Sequence, residues 1–189
     1  DKNIHYLRVA VSGNNHMAQA ATLTVLSSGP ASLFEQAKSL LGTWGSKIYY
    51  LGEKEQARLM KLVVNLMIAQ TSAMLAEGLT LGRLGNLDWG DMWEVITNSA
   101  VGSPIMKAKM VQLGKPMGER DFSPTFTVEQ MIKDLSLISQ AGKEFGAKKS
   151  YDVHVVLAEV GGKPYVHSTA AFAQGGTVQN KKYTYIPQH

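Results

Sequence analysis

The spacing of hydrophobic residues changes about a quarter of the way along the chain. Before that point, apolar, β-branched and aromatic residues cluster in three short runs separated by turn residues. These runs predict strands over 4–11, 22–28 and 47–51. A helix is predicted between the second and third strands, over 32–41, with Ser32 as its N-cap. This order of strands and helix indicates the edge of an α/β sheet.

After residue 52 the hydrophobic spacing becomes helical. Between residues 53 and 84, apolar side chains recur at steps of three and four and no proline occurs, which predicts one long amphipathic helix. Capping residues predict three further helices. The predicted N-cap residues are Asp88, Ser103, which is followed by Pro104, and Thr127, which has Gln130 at the capping-box position. The middle of the chain is therefore predicted to be all-helical.

The last part of the chain loses this helical spacing. Apolar and polar residues alternate over 151–157, and glycine pairs and a proline interrupt the sequence behind them. This pattern predicts a strand-like or irregular tail over 149–189.

Composition excludes several classes of function. The chain has 189 residues, of which 44% are hydrophobic, so it can bury a sizeable core. Its net charge of +4 is spread along the sequence, and the lack of a clustered basic stripe argues against nucleic acid as a partner. There is no cysteine, which removes disulfides, thiolate metal sites and cysteine nucleophiles. The five histidines are isolated from one another, so no metal site is predicted.

The sequence gives no sign of a membrane or a secretory route. We find no apolar run close to the roughly 20 residues that span a bilayer, and no signal peptide at the start. We therefore expect no membrane partner and a cytoplasmic location, with the mitochondrial matrix as the alternative.

Lys61 and Asn65 are the first candidates for chemistry. They interrupt an apolar helical run at a spacing of four, which places both side chains on one face of the helix. A proton donor and a hydrogen-bonding amide would then lie side by side against a small polar substrate. The alternative is structural: the lysine stem can cover apolar surface while its ammonium reaches water, and the amide can be an ordinary buried polar group.

Two further segments are weaker candidates. Ser12, Gly13 and Asn14 follow the first strand directly, where a glycine lets the backbone approach a ligand and free N–H groups can bind a carboxylate. An ordinary turn explains them as well. Lys133 and Asp134 lie on the last predicted helix, where a solvated charge pair is the alternative.

Four ordered motifs resemble those of the β-hydroxyacid dehydrogenase family, which includes 3-hydroxyisobutyrate dehydrogenase and tartronate semialdehyde reductase. The motifs are the substrate loop (9–14), the strand after it (22–25), Lys61 and Asn65 behind Gly52, and the segment from Arg120 to Phe126 with Lys133 and Asp134 following. The resemblance implies an α/β remnant followed by an all-α domain. Residues 1–52 would be the C-terminal part of a Rossmann-type nucleotide-binding domain, and residues 53–148 would be an interdomain helix and a helical bundle.

The resemblance also implies a role for each candidate residue. Lys61 would be the general acid/base, and Asn65 would hold the substrate beside it. The substrate carboxylate would bind to Ser12, Gly13 and Asn14. Lys133, Asp134 and Phe126 would lie on the side of the cofactor, which would be NAD or NADP. The reaction would be hydride transfer between a nicotinamide and a small 2- or 3-hydroxy acid, or the matching semialdehyde or keto acid.

The first half of the Rossmann domain, with its glycine-rich loop, is missing from the sequence. We therefore expect a fragment that is inactive alone, and a homodimer or homotetramer through the helical domain. Two alternatives remain: a non-catalytic oligomerisation or binding module of the same superfamily, and an imine reductase. Lys61 favours the dehydrogenase, because the non-catalytic members lack this lysine and imine reductases commonly replace it.

Overall fold

The computed structural model describes residues 4–146 in full, and the backbone alone for 153–160 and 163–170. The remainder of the predicted tail over 149–189 lies outside the described residues. Both ends of the predicted helical domain, at 53 and 148, stay predictions as domain boundaries.

A small mixed sheet forms the N-terminal part. It consists of β1 (Arg8–Ser12), β2 (Thr24–Ser28) and β3 (Lys47–Tyr50), in the order β1-β2-β3. Strand β1 is antiparallel to β2, while β2 and β3 are parallel. The parallel pair is connected through helix α2 (Ala31–Gly42), as parallel strands require a crossover. This sheet and the helices after it confirm an α/β remnant followed by a helical region.

The sheet and α2 enclose one apolar cluster, formed by Val25, Phe34 and Leu41. The rings of Phe34 and Tyr50 lie 5.0 Å apart between centroids, and the Tyr50 hydroxyl donates to the carbonyl oxygen of Gly29 at 2.7 Å. The aromatic positions of β3 therefore hold the crossover helix against the sheet.

Three details of this part differ from the sequence predictions. Strand β1 begins at Arg8, four residues later than predicted. Helix α2 begins at Ala31 behind Pro30, and no side chain caps it, so the prediction of a Ser32 cap is wrong. Because the helix already begins at Ala31, Ser32 lies inside its first turn and cannot occupy the N-cap position. The short helix α1 (Asn15–Gln19) was not predicted.

Four helices and one 3₁₀ turn follow the sheet. Their bounds are α3 (Gln56–Leu84), α4 (Trp89–Asn98), α5 (Pro104–Leu113), the 3₁₀ turn Met117–Glu119, and α6 (Val128–Glu144). The predicted caps are confirmed: the side chains of Asp88 and Ser103 accept from backbone N–H groups at the starts of α4 and α5, and Thr127 and Gln130 form a capping box at the start of α6.

The first turn of α3 is fixed to the sheet. The Ser28 hydroxyl donates to the carbonyl of Lys54 at 2.7 Å and accepts from the backbone N–H of Ala57 at 3.1 Å. Arg8 of β1 forms a hydrogen-bonded ion pair with Glu55. Because both strands hold the start of the helix, the direction of α3 relative to the sheet is set at this junction.

Helix α3 then packs against different neighbours along its length. Its middle contacts α6 around Ala69, Leu135 and Ile138. Its C-terminal half packs against α4 and α5 in a second apolar cluster. The buried members of this cluster are Leu75, Leu79, Met92, Trp93 and Met106.

By length and composition alone, α3 could cross a membrane, so the expectation that no segment would pass this test is wrong. The polar side chains within α3, such as Asn65, interrupt its apolar runs and hide this property from a search for uninterrupted stretches. In the structure, one face of α3 is buried against α6, α4 and α5.

Behind α6, the backbones of β4 (Val153–Val160) and β5 (Lys163–Ala170) pair as antiparallel strands. Their register joins Val153 to Ala170 at one end and Val160 to Lys163 at the other.

Candidate active site

Lys61 lies half-buried on the second turn of α3, on the side that meets α6. Burial lowers the pKa of its ammonium group below the ordinary lysine value. The carboxylate of Asp134 on α6 opposes this by raising the pKa, and the charge of Lys133 lowers it further. Because the neutral amine is favoured more than in water, Lys61 is better able to accept and return a proton than an exposed lysine is.

One turn further along α3, Asn65 is buried and takes part in a polar network. Its Nδ2 donates a hydrogen bond to Oδ2 of Asp134 at 2.5 Å. The other carboxylate oxygen, Oδ1, pairs with Nζ of Lys133 at 3.0 Å. Lys61, Asn65, Lys133 and Asp134 are therefore one connected group between α3 and α6.

The position of Asp134 follows from the apolar pattern of α6. Met131, Leu135 and Ile138 form the face of this helix that packs against α3, and Asp134 lies on that same face by helical spacing. Only 6% of Asp134 is exposed, whereas the side chain of Lys133 is 66% exposed. The interpretation of this dipeptide as a solvated pair is therefore wrong for the aspartate.

The predicted carboxylate loop lies at the end of β1. Side chains alternate across a strand, so Ser12 shares a face with Arg8, whose ion pair with Glu55 marks the side on which α3 starts. Gly13 has a φ of +145°, a conformation that favours glycine, and an added Cβ would lie 2.5 Å from a Leu23 methyl group. The loop thus needs a glycine at this position.

Asn14 has a structural function that the sequence analysis did not include. Its side-chain oxygen accepts from the backbone N–H of Met17 at 3.0 Å and so caps helix α1. An asparagine followed by a short apolar segment is a capping signal, which could have revealed both the cap and the helix.

The segment from Arg120 to Phe126 is held against α4 and α5. The guanidinium of Arg120 lies 4.1 Å from the ring centroid of Trp89, a cation–π contact. The Asp121 carboxylate accepts from the backbone N–H of Ser123 at 2.8 Å, and such hydrogen bonds lower the pKa of this carboxyl. Phe126 stands partly exposed just before the cap of α6.

The structure thus connects four of the eight predicted site residues. Among the hydrogen bonds and ion pairs described for residues 4–146, none joins Ser12, Gly13, Asn14 or Phe126 to this group. The direct bond between Asn65 and Asp134 was missed by the sequence analysis, because the two residues are 69 positions apart. When Lys61 is protonated, two lysines and one aspartate give the group a net positive charge, which suits an anionic substrate.

Two family models match the chain. A model described as the NAD-binding domain of NADP-dependent 3-hydroxyisobutyrate dehydrogenase matches residues 56–155, more than half of the chain. A model of the NAD-binding domain of 6-phosphogluconate dehydrogenase matches residues 1–52. The chain belongs to the β-hydroxyacid dehydrogenase family, whose cofactor is NAD or NADP.

Individual relatives agree with this assignment. The chain is 35% identical to 2-(hydroxymethyl)glutarate dehydrogenase of Eubacterium barkeri over 76% of its own length and 47% of that protein. It is 31% identical to the chloroplastic glyoxylate/succinic semialdehyde reductase 2 of Arabidopsis thaliana, over 72% of this chain and 37% of the relative. Human cytokine-like nuclear factor N-PAC is 27% identical over 72% of this chain and 24% of that protein. The chain spans less than half the length of these relatives.

A solved structure shows the same fold. Mycobacterium tuberculosis 3-hydroxyisobutyrate dehydrogenase with L-serine superposes with a TM-score of 0.64 at 27% identity. The match covers 74% of this chain and 49% of that structure.

The sequence lacks one part of the usual dinucleotide site. No glycine-rich phosphate-binding loop occurs in the sequence, so nothing in it provides the usual site for the pyrophosphate. Lys133 has an exposed side chain beside the polar group of α3 and α6, which makes it the residue of this group available to approach a cofactor.

Proposed function

We propose that the chain provides the substrate-binding and proton-transfer side of an NAD(P)-dependent dehydrogenase acting on a small 2- or 3-hydroxy acid, or reducing the matching semialdehyde or keto acid. The observation that carries the proposal is the half-buried Lys61, whose pKa is lowered by burial and which lies beside a hydrogen-bonded carboxylate and amide. Two of the similar proteins are named for 3-hydroxyisobutyrate and 2-(hydroxymethyl)glutarate, which are both hydroxy acids.

In the oxidation direction, the neutral amine of Lys61 takes the proton of the substrate hydroxyl. In the reduction direction, its ammonium returns that proton to the developing alkoxide. The nicotinamide supplies or accepts the hydride when it is bound. Asn65, one turn along the same face of α3, donates the Nδ2 hydrogen that Asp134 does not use to the hydroxyl oxygen and so holds it at Lys61.

The substrate carboxylate binds at Ser12, Gly13 and Asn14 in this proposal. The positive φ of Gly13 supports it, because a backbone of this shape can turn its N–H groups toward an anion without side-chain interference. The Ser12 side chain lies on the α3 side of β1, which would put a hydroxyl donor on the same side as Lys61. The Asn14 oxygen is occupied by its cap, so its contribution would come from its Nδ2 or backbone.

We further propose that activity requires a dinucleotide-binding half like that of the relatives, of which this chain spans less than half. The edge of β1 supports this: β2 occupies one side of β1, and within the described residues no strand pairs with the other. Val9 and Val11 on that strand are exposed. The unpaired backbone N–H and C=O groups of such an edge are where further strands would extend the sheet, and the exposed valines on its face are where further elements would pack.

The test measures NAD(P)-linked oxidation of a panel of 2- and 3-hydroxy acids. We would assay the chain alone and the chain fused behind the N-terminal half of the Eubacterium relative. The fusion is expected to be active and the chain alone inactive. Lys61→Ala in the fusion should lower kcat by roughly 10²–10⁴-fold, the usual contribution of general acid–base catalysis. The matched control is Lys107→Ala, an exposed lysine of α5, which should retain full turnover. Normal turnover by Lys61→Ala would refute the catalytic role.

A dimer through helix α3 is the third element of the proposal. Four apolar side chains spaced by seven residues lie exposed along α3, namely Met60, Met67, Met74 and Leu81. A heptad stripe of this kind is what one helix presents to another. The centre of this stripe lies between Met67 and Met74. The same point is midway between Val63 and Gly78, and Gly78 has open space around it. Two antiparallel copies of α3 would therefore place Met60 opposite Leu81, Met67 opposite Met74 and Val63 opposite the open space at Gly78, about a two-fold axis.

Light scattering of the purified chain tests this dimer. We expect a dimer mass for the unchanged chain and a monomer mass for Met67→Lys combined with Met74→Lys. Val95→Lys alters an equally exposed apolar residue on α4 and should leave the dimer intact. A monomeric wild-type chain, or a dimeric double variant, would refute this interface.

A further inference from the structure

We propose that Asp134 is a positioning residue: its buried carboxylate fixes the orientation of the Asn65 side-chain amide and balances the charge of Lys61. This inference rests on the proposed function and assigns Asp134 to the substrate side of the site. The resemblance had implied a contact with the cofactor instead.

The orientation of Asn65 follows from hydrogen-bond chemistry. A carboxylate can only accept hydrogen bonds, so the amide must present Nδ2 to Asp134, as the 2.5 Å contact shows. The opposite orientation would bring two oxygen atoms together in a buried place. The Asn65 carbonyl oxygen is consequently turned away from Asp134, where it can accept from the ammonium of Lys61.

Burial makes this contact effective. Asn65 is 4% exposed and Asp134 is 6% exposed, so water does not compete for their bond as it would at the surface. The second carboxylate oxygen is occupied by Lys133 at 3.0 Å. Both oxygens of Asp134 are therefore used, and the carboxylate is held from two sides.

The charge of Asp134 acts on Lys61 against the effect of burial. Asp134 raises the pKa of Lys61, whereas burial and Lys133 lower it. The other charged groups described near this end of α3 are the exposed Glu53 and Lys54 just before the helix, and Arg58 and Arg8, which both pair with Glu55. Glu55 offsets part of the charge of the two arginines, and Asp134 is the carboxylate that raises the pKa of Lys61.

The test is an NMR titration of the 189-residue chain without substrate or cofactor, using lysine labelled with ¹³C at Cε. Lys61→Met identifies the Lys61 signal by its loss. In Asp134→Asn the titration midpoint of Lys61 should fall below the wild-type midpoint, because the group that raises this pKa has lost its charge. The control Glu129→Gln changes an exposed carboxylate on the same helix and should not move the midpoint. An unchanged or higher midpoint in Asp134→Asn, or an equal fall in both variants, would overturn the proposal.

A second measurement needs no substitution and covers the case in which Asp134→Asn does not fold. In the wild-type chain, the Nδ2 proton signals of Asn65 should shift on acidification with the same midpoint as the Asp134 side-chain carbon. Asn65 signals that ignore the titration of Asp134 would overturn the proposal. Because neither measurement uses turnover, failure of the dehydrogenase assignment and failure of this inference are distinguishable.

Discussion

The two halves of helix α3 bury different chemistry. In the first half, Lys61 and Asn65 face a carboxylate of α6. In the second half, Leu75 and Leu79 face a purely apolar cluster of α4 and α5. The same backbone geometry thus supports a polar network at one end and an ordinary hydrophobic core at the other.

The difference indicates how stability and chemistry are divided along one element. A partly buried ammonium group is costly to desolvate, so the first half contributes less to stability than its length suggests. The apolar half has no such cost, and burial of its side chains stabilises the helix as a whole. We therefore expect substitutions in the second half to affect mainly stability, and substitutions in the first half to affect mainly activity.

Trp93→Ala should have the largest effect on stability. Trp93 is fully buried in the apolar cluster and meets Trp89 edge to face, with ring centroids 6.0 Å apart. Removal of a buried large aromatic side chain should lower the free energy of unfolding by about 3–5 kcal/mol. Urea denaturation followed by circular dichroism measures this change.

Trp93→Phe is the matched control. The Nε1 of Trp93 is buried and has no hydrogen-bond partner among the described residues, so phenylalanine removes an unsatisfied donor together with part of the ring. Its loss should be clearly smaller than that of alanine. Equal losses for both variants would show that the indole volume does not determine the stability of this cluster.

Ala69→Leu should have an intermediate effect and links the two halves. Ala69 is 1% exposed where α3 meets Leu135 of α6, so a larger side chain would push the helices apart. Overpacking of this kind should cost about 1–3 kcal/mol. The same separation should expose Lys61, and because burial is the largest cause of its lowered pKa, that pKa should rise toward the ordinary lysine value even though Asp134 moves away as well. A destabilised variant with an unchanged Lys61 titration would break this link.

Lys61→Met should have the smallest effect and the opposite sign. Its removal relieves a desolvation cost, so the free energy of unfolding should rise at neutral pH by up to about 1 kcal/mol, limited by the partial exposure of the group.

The folded pKa of Lys61 is below its unfolded value. The unfolded chain therefore binds this proton more strongly, and wild-type stability should gain as pH rises through the folded pKa. In the variant this gain should be absent. Lys107→Met, at an exposed site, should change neither quantity.

Much of the fold could be predicted from local patterns. The helix over 53–84 follows from its apolar spacing, and the caps at Asp88, Ser103 and Thr127 follow from hydrogen bonds made within three residues of each cap. The sequence also predicts helix α2, but not its start, since Ser32 resembles a cap whereas the helix already begins at Ala31.

The polar network could be predicted only in part. The spacing of Lys61 and Asn65 placed them on one face of α3, but nothing local indicated that this face would meet Asp134. That contact depends on tertiary packing, because α6 turns the aspartate inward along with Leu135 and Ile138. Because aspartate is usually exposed to solvent, the sequence alone favoured an exposed position for Asp134.

The most direct test of a proton-transferring Lys61 is the pH dependence of kcat/KM in both reaction directions for the active fusion protein. Hydroxy-acid oxidation needs the neutral amine, so its kcat/KM should rise with pH and level off above the pKa of Lys61. Reduction needs the ammonium, so its kcat/KM should fall over the same interval. That interval should lie below the titration range of an ordinary lysine, as the lowered pKa requires. Identical profiles in wild type and Lys61→Ala would contradict the assignment of Lys61 as the proton-transferring group.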